Sequence, residues 1–190
     1  MSVSEEPSVQ RQVLLDRERI KELFDLRPLS GDTTLFDAVR HEASMHLAEQ
    51  RIAIALLAND TLANLPPLTF FQGLVIDFDG EQRSSVDLTK TAIAPIVDAA
   101  RVFSLAQGRT SPCGTLERLR AAMQDFPSAA PIFADAAAAL AIAQYYRELG
   151  GSADITPSQF GKYDQRLLKT AFSSIHRLLE FTTRTFVSAA

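Results

Sequence analysis

Between positions 129 and 149 the chain reads AAPIFADAAAALAIAQYYREL, an alanine-dominated run closed by Gly150-Gly151. Alanine gives up the least on entering a helix, and its small side chain lets neighbouring backbones approach closely. A run of this length dictates a long helix that needs partners on its faces. The C-terminal stretch supplies one: over 162–187, Leu168, Phe172, Ile175, Leu179 and Phe186 fall on a single helical stripe. A third segment, 91–107, repeats Ile93, Ile96 or Val97, Ala100 and Phe103 at helical spacing. Its Pro95 falls in the first turn, where a missing N–H costs little, and Gly108 suits the left-handed position after the last turn.

Two further helical segments complete the pattern. Residues 33–62 are rich in Ala, Leu and Ile, with Asp32 or Thr33 to cap the start and Pro66-Pro67 to end the element. Residues 116–125 form a shorter helix after Thr115. Four to five amphipathic helices joined by short connections imply a mainly α protein, an antiparallel helical bundle. One stretch breaks the pattern. FFQGLVIDF at 70–78 is dense in aromatic and β-branched residues, Asp79-Gly80 is a hairpin turn signal, and a return strand follows at about 82–88. A small β-hairpin at about 70–88 is therefore expected within the bundle.

The N-terminal part reads differently. Residues 1–10 carry little apolar content, 13–23 are charged and compatible with a helix, and Pro28 with Ser30-Gly31-Asp32 stops any helix across 23–32. The expected division is a tail over 1–32 and the bundle over 33–190.

Composition narrows the function classes. The 46% hydrophobic and 22% charged content is ordinary for a soluble globular protein, and the net charge of −4 argues against a dedicated nucleic-acid surface. No apolar run approaches the roughly 20 residues of a membrane span. The start, MSVSEEPSVQRQ, is too acidic and polar for a signal peptide, so a cytoplasmic protein is expected. A single cysteine, Cys113, excludes an internal disulfide and a multi-cysteine zinc site.

Several motifs invite a chemical reading. Gly150-Gly151-Ser152 has the small residues of a phosphate-binding loop, but no Asp-x-Asp pair follows, and a helix stop accounts for it. His41 and His46 are five apart, about 140° around a helix, so they do not converge on one metal. His176 has no ligand neighbour at metal spacing, and Cys113 has no local activating partner. Tyr145 and Tyr146 read as packing at the bundle edge. Asp87, Lys90 and Arg101 have two readings: a basic pocket for a nucleotide or an acidic protein substrate, or an ion pair of Arg101 with Asp87 or Glu117 that fixes the hairpin on the bundle. Arg118, Arg120 and Arg147 would extend a basic face.

Three blocks carry a family resemblance: DLTKTAIAPIVDAAR at 87–101, TLERL at 115–119, and ITPSQF with DQRLLKTAF across 155–172. Together they resemble the C-terminal helical, substrate-binding domain of nucleotidyltransferases related to the PII uridylyltransferases, a bacterial group with CBS and cyclic-nucleotide-binding-like modules and a link to signal transduction. The resemblance spans about 24–186. The chain departs from it at Thr89, where relatives carry lysine, and at Ala141-Ile142-Ala143-Gln144, where they are rich in arginine and histidine.

The resemblance implies a substrate-binding or regulatory domain that is not catalytic alone, because no Gly-Ser element is followed by the Asp-x-Asp pair of the catalytic motif. It implies that 1–32 includes a remnant of an upstream nucleotidyltransferase domain, which would act in cis. That domain would use Mg²⁺ and a nucleoside triphosphate; the chain itself would hold neither. It implies that Asp25, in FDLRPLSGD, is a third metal carboxylate, with Arg27 beside it to meet phosphate or a neighbouring acid; the other reading pairs Asp25 with Arg27 or a nearby lysine on a solvated loop. Asp87, Lys90, Arg101, Arg118 and Arg147 are the implied substrate-binding set, with a protein or small molecule as acceptor. The rival reading is a non-enzymatic interaction module whose alanine-rich face at 134–143 pairs with a second copy, as a homodimer, or with another protein.

Overall fold

The computed structural model describes residues 25–26, 28–67, 69–71, 74–76, 82–83, 85–109 and 114–188. Arg27, Cys113 and the Asp79-Gly80 turn lie outside them. Six α-helices are present among the described residues: α1 Thr34–Glu49, α2 Arg51–Asp60, α3 Ala94–Ala106, α4 Thr115–Asp125, α5 Ala130–Gly150 and α6 Lys162–Phe186. The protein is mainly α, as its periodicities require.

The sixth helix comes from a break in the expected 33–62 segment. Gln50 has ψ 77°, off the helical region, and its N–H closes back on the Leu47 carbonyl at 3.0 Å. The bend lets both halves reach one patch: Leu47 from α1 and Ile54, Leu57 and Ala58 from α2 pack with Val102 and Leu105 of α3. The cap at the start of α1 is Asp32, whose Oδ1 accepts the Thr34 N–H at 2.8 Å.

The alanine-rich helix α5 lies at the centre of the main core. Its Phe133, Ala136, Ala139, Leu140, Ala143 and Tyr146 are buried within the chain. Helix α6 packs antiparallel to it, as three cross-contacts show: Phe133 against Phe181 at 5.8 Å, Arg177 Nη1 donating to Asp135 at 2.9 Å, and Tyr146 OH donating to Asp164 at 2.6 Å. Phe103 of α3 enters the same core and meets Phe126, Phe133, Phe181 and Phe186, with ring centroids 4.9–5.6 Å away. Glycines close the helices where expected. Gly108 (φ 63°) follows α3, and Gly151 (φ 64°) follows α5 with its N–H on the Glu148 carbonyl.

The expected hairpin is present as β2 Leu74–Ile76 paired antiparallel with β3 Gln82–Arg83. A further strand, β1 Thr69–Phe71, pairs with β2 on its other side, so the expected 70–78 strand folds back on itself between Phe71 and Leu74. The rest of the expected return strand belongs elsewhere: β4 Val86–Asp87 pairs antiparallel with β5 Asp154–Ile155. That short ladder ties the start of α3, through a π-helical turn at Thr89–Ile93, to the loop between α5 and α6.

Candidate functional site

Arg101 sits one residue beyond Ala100 on the apolar stripe of α3, so its side chain is carried into the interior rather than out to water. It is only 9% exposed, and Arg118 of α4 is 4% exposed. Two guanidiniums withdrawn from water need anions close by, since a buried unpaired charge is costly. Asp98, one helical turn before Arg101, accepts from its Nη1. The other anion comes from far away in sequence. Asp25 Oδ2 accepts from Arg101 Nη2, and Asp25 Oδ1 accepts from Arg118 Nη2 at 3.0 Å.

These four groups balance in charge, two arginines against two aspartates. Asp25 is the exposed member, with 42% of its side chain open to water. Partial burial opposes its ionisation, but the hydrogen bonds and charges of Arg101, then Arg118, outweigh that and hold the carboxyl below its usual range. Arg101 Nε is buried and has no hydrogen-bond partner among the described residues.

The other sequence candidates do not join this cluster. Asp87 caps the turn before α3 by accepting the Lys90 N–H at 3.0 Å, and Lys90 Nζ pairs with the same carboxylate at 3.4 Å. Lys90 lies roughly 16 Å along the helix from Arg101, from the rise of 1.5 Å per residue. Neither Asp87 nor Glu117 is the partner found on Arg101; the distant Asp25 takes that place, a contact that no local spacing announces. Arg147 pairs with its neighbour Glu148 at 2.7 Å on the surface. Of the expected basic set, Arg101 and Arg118 are brought onto one carboxylate, while Lys90 and Arg147 pair locally elsewhere.

Two other features have no counterpart in the sequence reading. His176 lines a cleft of about 570 Å³ with Leu62, Leu65, Leu179, Glu180 and Arg184. Arg166, Lys169 and Arg177 of α6 line a shallow groove of about 520 Å³, with Asp135 opposite. His41 and His46 are exposed on α1.

The described residues do not fit a metal centre. No trio of His, Cys, Asp and Glu among them could hold an ion, and both oxygens of Asp25 are taken by guanidiniums. To reach a metal, Asp25 would have to leave both arginines.

Residues 51–186 match the family described as "Putative nucleotidyltransferase substrate binding domain". The chain belongs to this family. The match runs from α2 to the end of α6, so it includes Arg101 and Arg118 but neither α1 nor Asp25. Comparisons with curated proteins and with solved structures gave no match. A substrate-binding domain of this kind is associated with a nucleotidyltransferase region. No helix among the described residues is long and apolar enough to cross a membrane.

Proposed function

We propose that this domain holds the acceptor side of a nucleotidyl transfer reaction and that the face shared by α3 and α4 is the wall that meets the acceptor. The observation that carries this reading is the convergence of Arg101 and Arg118 on one carboxylate. Paired buried guanidiniums are the side chains best suited to fix a planar or tetrahedral anion in one orientation. On this reading the nucleotidyltransferase region brings the Gly-Ser and Asp-x-Asp elements, Mg²⁺ and the triphosphate. The chain described here binds and orients and does no chemistry alone. Asp25 then serves as the partner of the two arginines and not as a metal carboxylate.

The interaction-module reading keeps only the outer side of the alanine-rich helix, where Ala134, Ala138 and Ala141 are exposed. Ala136, Ala139 and Ala143 of the alanine-rich helix are already buried inside the same chain, where they let α5 pack closely against its neighbours.

The test is a transfer assay with Mg²⁺ and each of the four nucleoside triphosphates, run on this chain alone and together with its nucleotidyltransferase region. The chain alone should release no pyrophosphate. In the combined system Arg118→Gln should raise KM for the acceptor, with little change in kcat. Transfer by the isolated chain, or an Arg118→Gln effect confined to kcat, would overturn the reading.

A further inference from the structure

Among the described residues of the segment that carries Asp25, few side chains meet the bundle. Leu26 is 51% exposed, Leu29 is 99% exposed, and Pro28 through Asp32 are all exposed. Leu26 keeps half of its surface in water and Leu29 nearly all of it, so these described apolar side chains contribute little hydrophobic anchoring. The segment's described attachment is the single carboxylate between two guanidiniums. That carboxylate also fills its socket incompletely. The Nε and Nη2 groups of an arginine lie along one edge and suit a bidentate anion. Asp25 occupies Nη2 of Arg101 with one oxygen and spends the other on Arg118, which leaves the buried Arg101 Nε without an acceptor.

We propose that the Arg101–Arg118 socket is a binding site for a phosphate group, and that Asp25 is an internal anion that occupies it until such a ligand displaces it. A phosphate offers more oxygens than a carboxylate. It could span Nε and Nη2 of Arg101 and still reach Arg118. The open side of Asp25 provides the route of exchange. The inference deepens the function proposed above by naming the ligand chemistry, and it shares that reading's use of this face. It is tested by direct binding rather than by transfer, so the two can fail separately.

The experiment is isothermal titration of the full chain with inorganic phosphate, repeated for Asp25→Asn and for the double variant Asp25→Asn/Arg118→Gln. Thermal melts confirm that each variant is folded. An internal competitor that leaves the socket open a tenth of the time weakens apparent affinity about tenfold. Asp25→Asn should therefore bind phosphate about tenfold more tightly than the native chain, and the double variant should lose that binding. A parallel titration with ATP distinguishes the sources. Binding by ATP that is tighter than by phosphate, and lost in the double variant, assigns the phosphate to a nucleotide; equal affinity assigns the site to the phosphate group alone. If a folded Asp25→Asn binds phosphate no better than the native chain, or if the double variant binds as well as Asp25→Asn, the proposal is wrong. A folded Arg101→Gln/Asp25→Asn variant repeats the test from the other side of the socket, in case the Arg118 change disturbs α4.

Discussion

Asp25 has its carboxyl pKa held below the ordinary value of 3.8, and this sets a pH window for the arginine cluster. A carboxylate whose pKa is lower folded than unfolded contributes stability that is fully present above the unfolded value. That contribution is lost as pH falls through the folded value. The stability difference between the native chain and Asp25→Asn should therefore stay constant from pH 8 to about pH 5 and shrink toward zero only in stronger acid. Denaturant unfolding at several pH values measures it; a difference that changes between pH 6 and 8 would show that another group controls the contact. Tyr146 offers a second test. Its buried hydroxyl donates to Asp164 Oδ1, while Asp164 Oδ2 accepts the Gly161 N–H at the start of α6. Burial first, then Asp164, pushes the phenol's pKa upward. Tyr146→Phe removes one hydrogen bond to a charged acceptor and should cost about 1.5 kcal/mol in urea unfolding.

At the scale of the elements, what could be read in advance follows from what each signal requires. The α3 and α6 helices follow from side-chain period and α5 from its alanine content, and the ends of α3 and α5 follow from glycines at Gly108 and Gly151. Period and backbone conformation are local properties of the chain. The break at Gln50 has no such signal, because neither glycine nor proline stands there. It exists so that Leu47 and Ile54 reach the same patch of α3. The pairing of β4 with β5 was equally hidden, because Val86 and Ile155 are brought together by the path of the helices between them. The site divides in the same way. Burial of Arg101 was readable from its place beside the stripe, whereas its partner Asp25 is fixed only by tertiary structure. The local signals can be tested directly. Gly151 has a positive φ with open space where a Cβ would project, so Gly151→Ala should cost only the backbone term, about 1 kcal/mol. Gly151→Asn should cost less, since asparagine tolerates the left-handed region. Equal losses for the two variants in thermal unfolding would mean that the cost is not conformational.

Across the whole molecule, the buried residues form two unequal groups that meet along α3. The larger one joins α3, α4, α5 and α6; the smaller one seats α1 and α2 on the outer side of α3. Phe103 is the side chain through which the larger group is held together, since its ring touches four others drawn from the end of α4, from α5 and from α6. Leu57 is just as buried but belongs to the smaller group. Truncating the phenylalanine removes both its apolar area and four ring contacts, so Phe103→Ala should cost about 3–5 kcal/mol. Leu57→Ala should cost about 2–5 kcal/mol, the usual range for such truncations. The spatial pattern of the loss separates the two sites further. In amide hydrogen exchange, Leu57→Ala should speed exchange in α1 and α2 while α5 and α6 keep their protection, because a small satellite group can open locally. Phe103→Ala should lower protection in α3, α5 and α6 together. That pattern matters for function, because Arg101 and Arg118 stand on α3 and α4, and the geometry of their socket is only as firm as the core beneath it. If Leu57→Ala loosened α5 as much as α1, the two groups would be one cooperative unit, and α1 and α2 would share in holding the socket in shape.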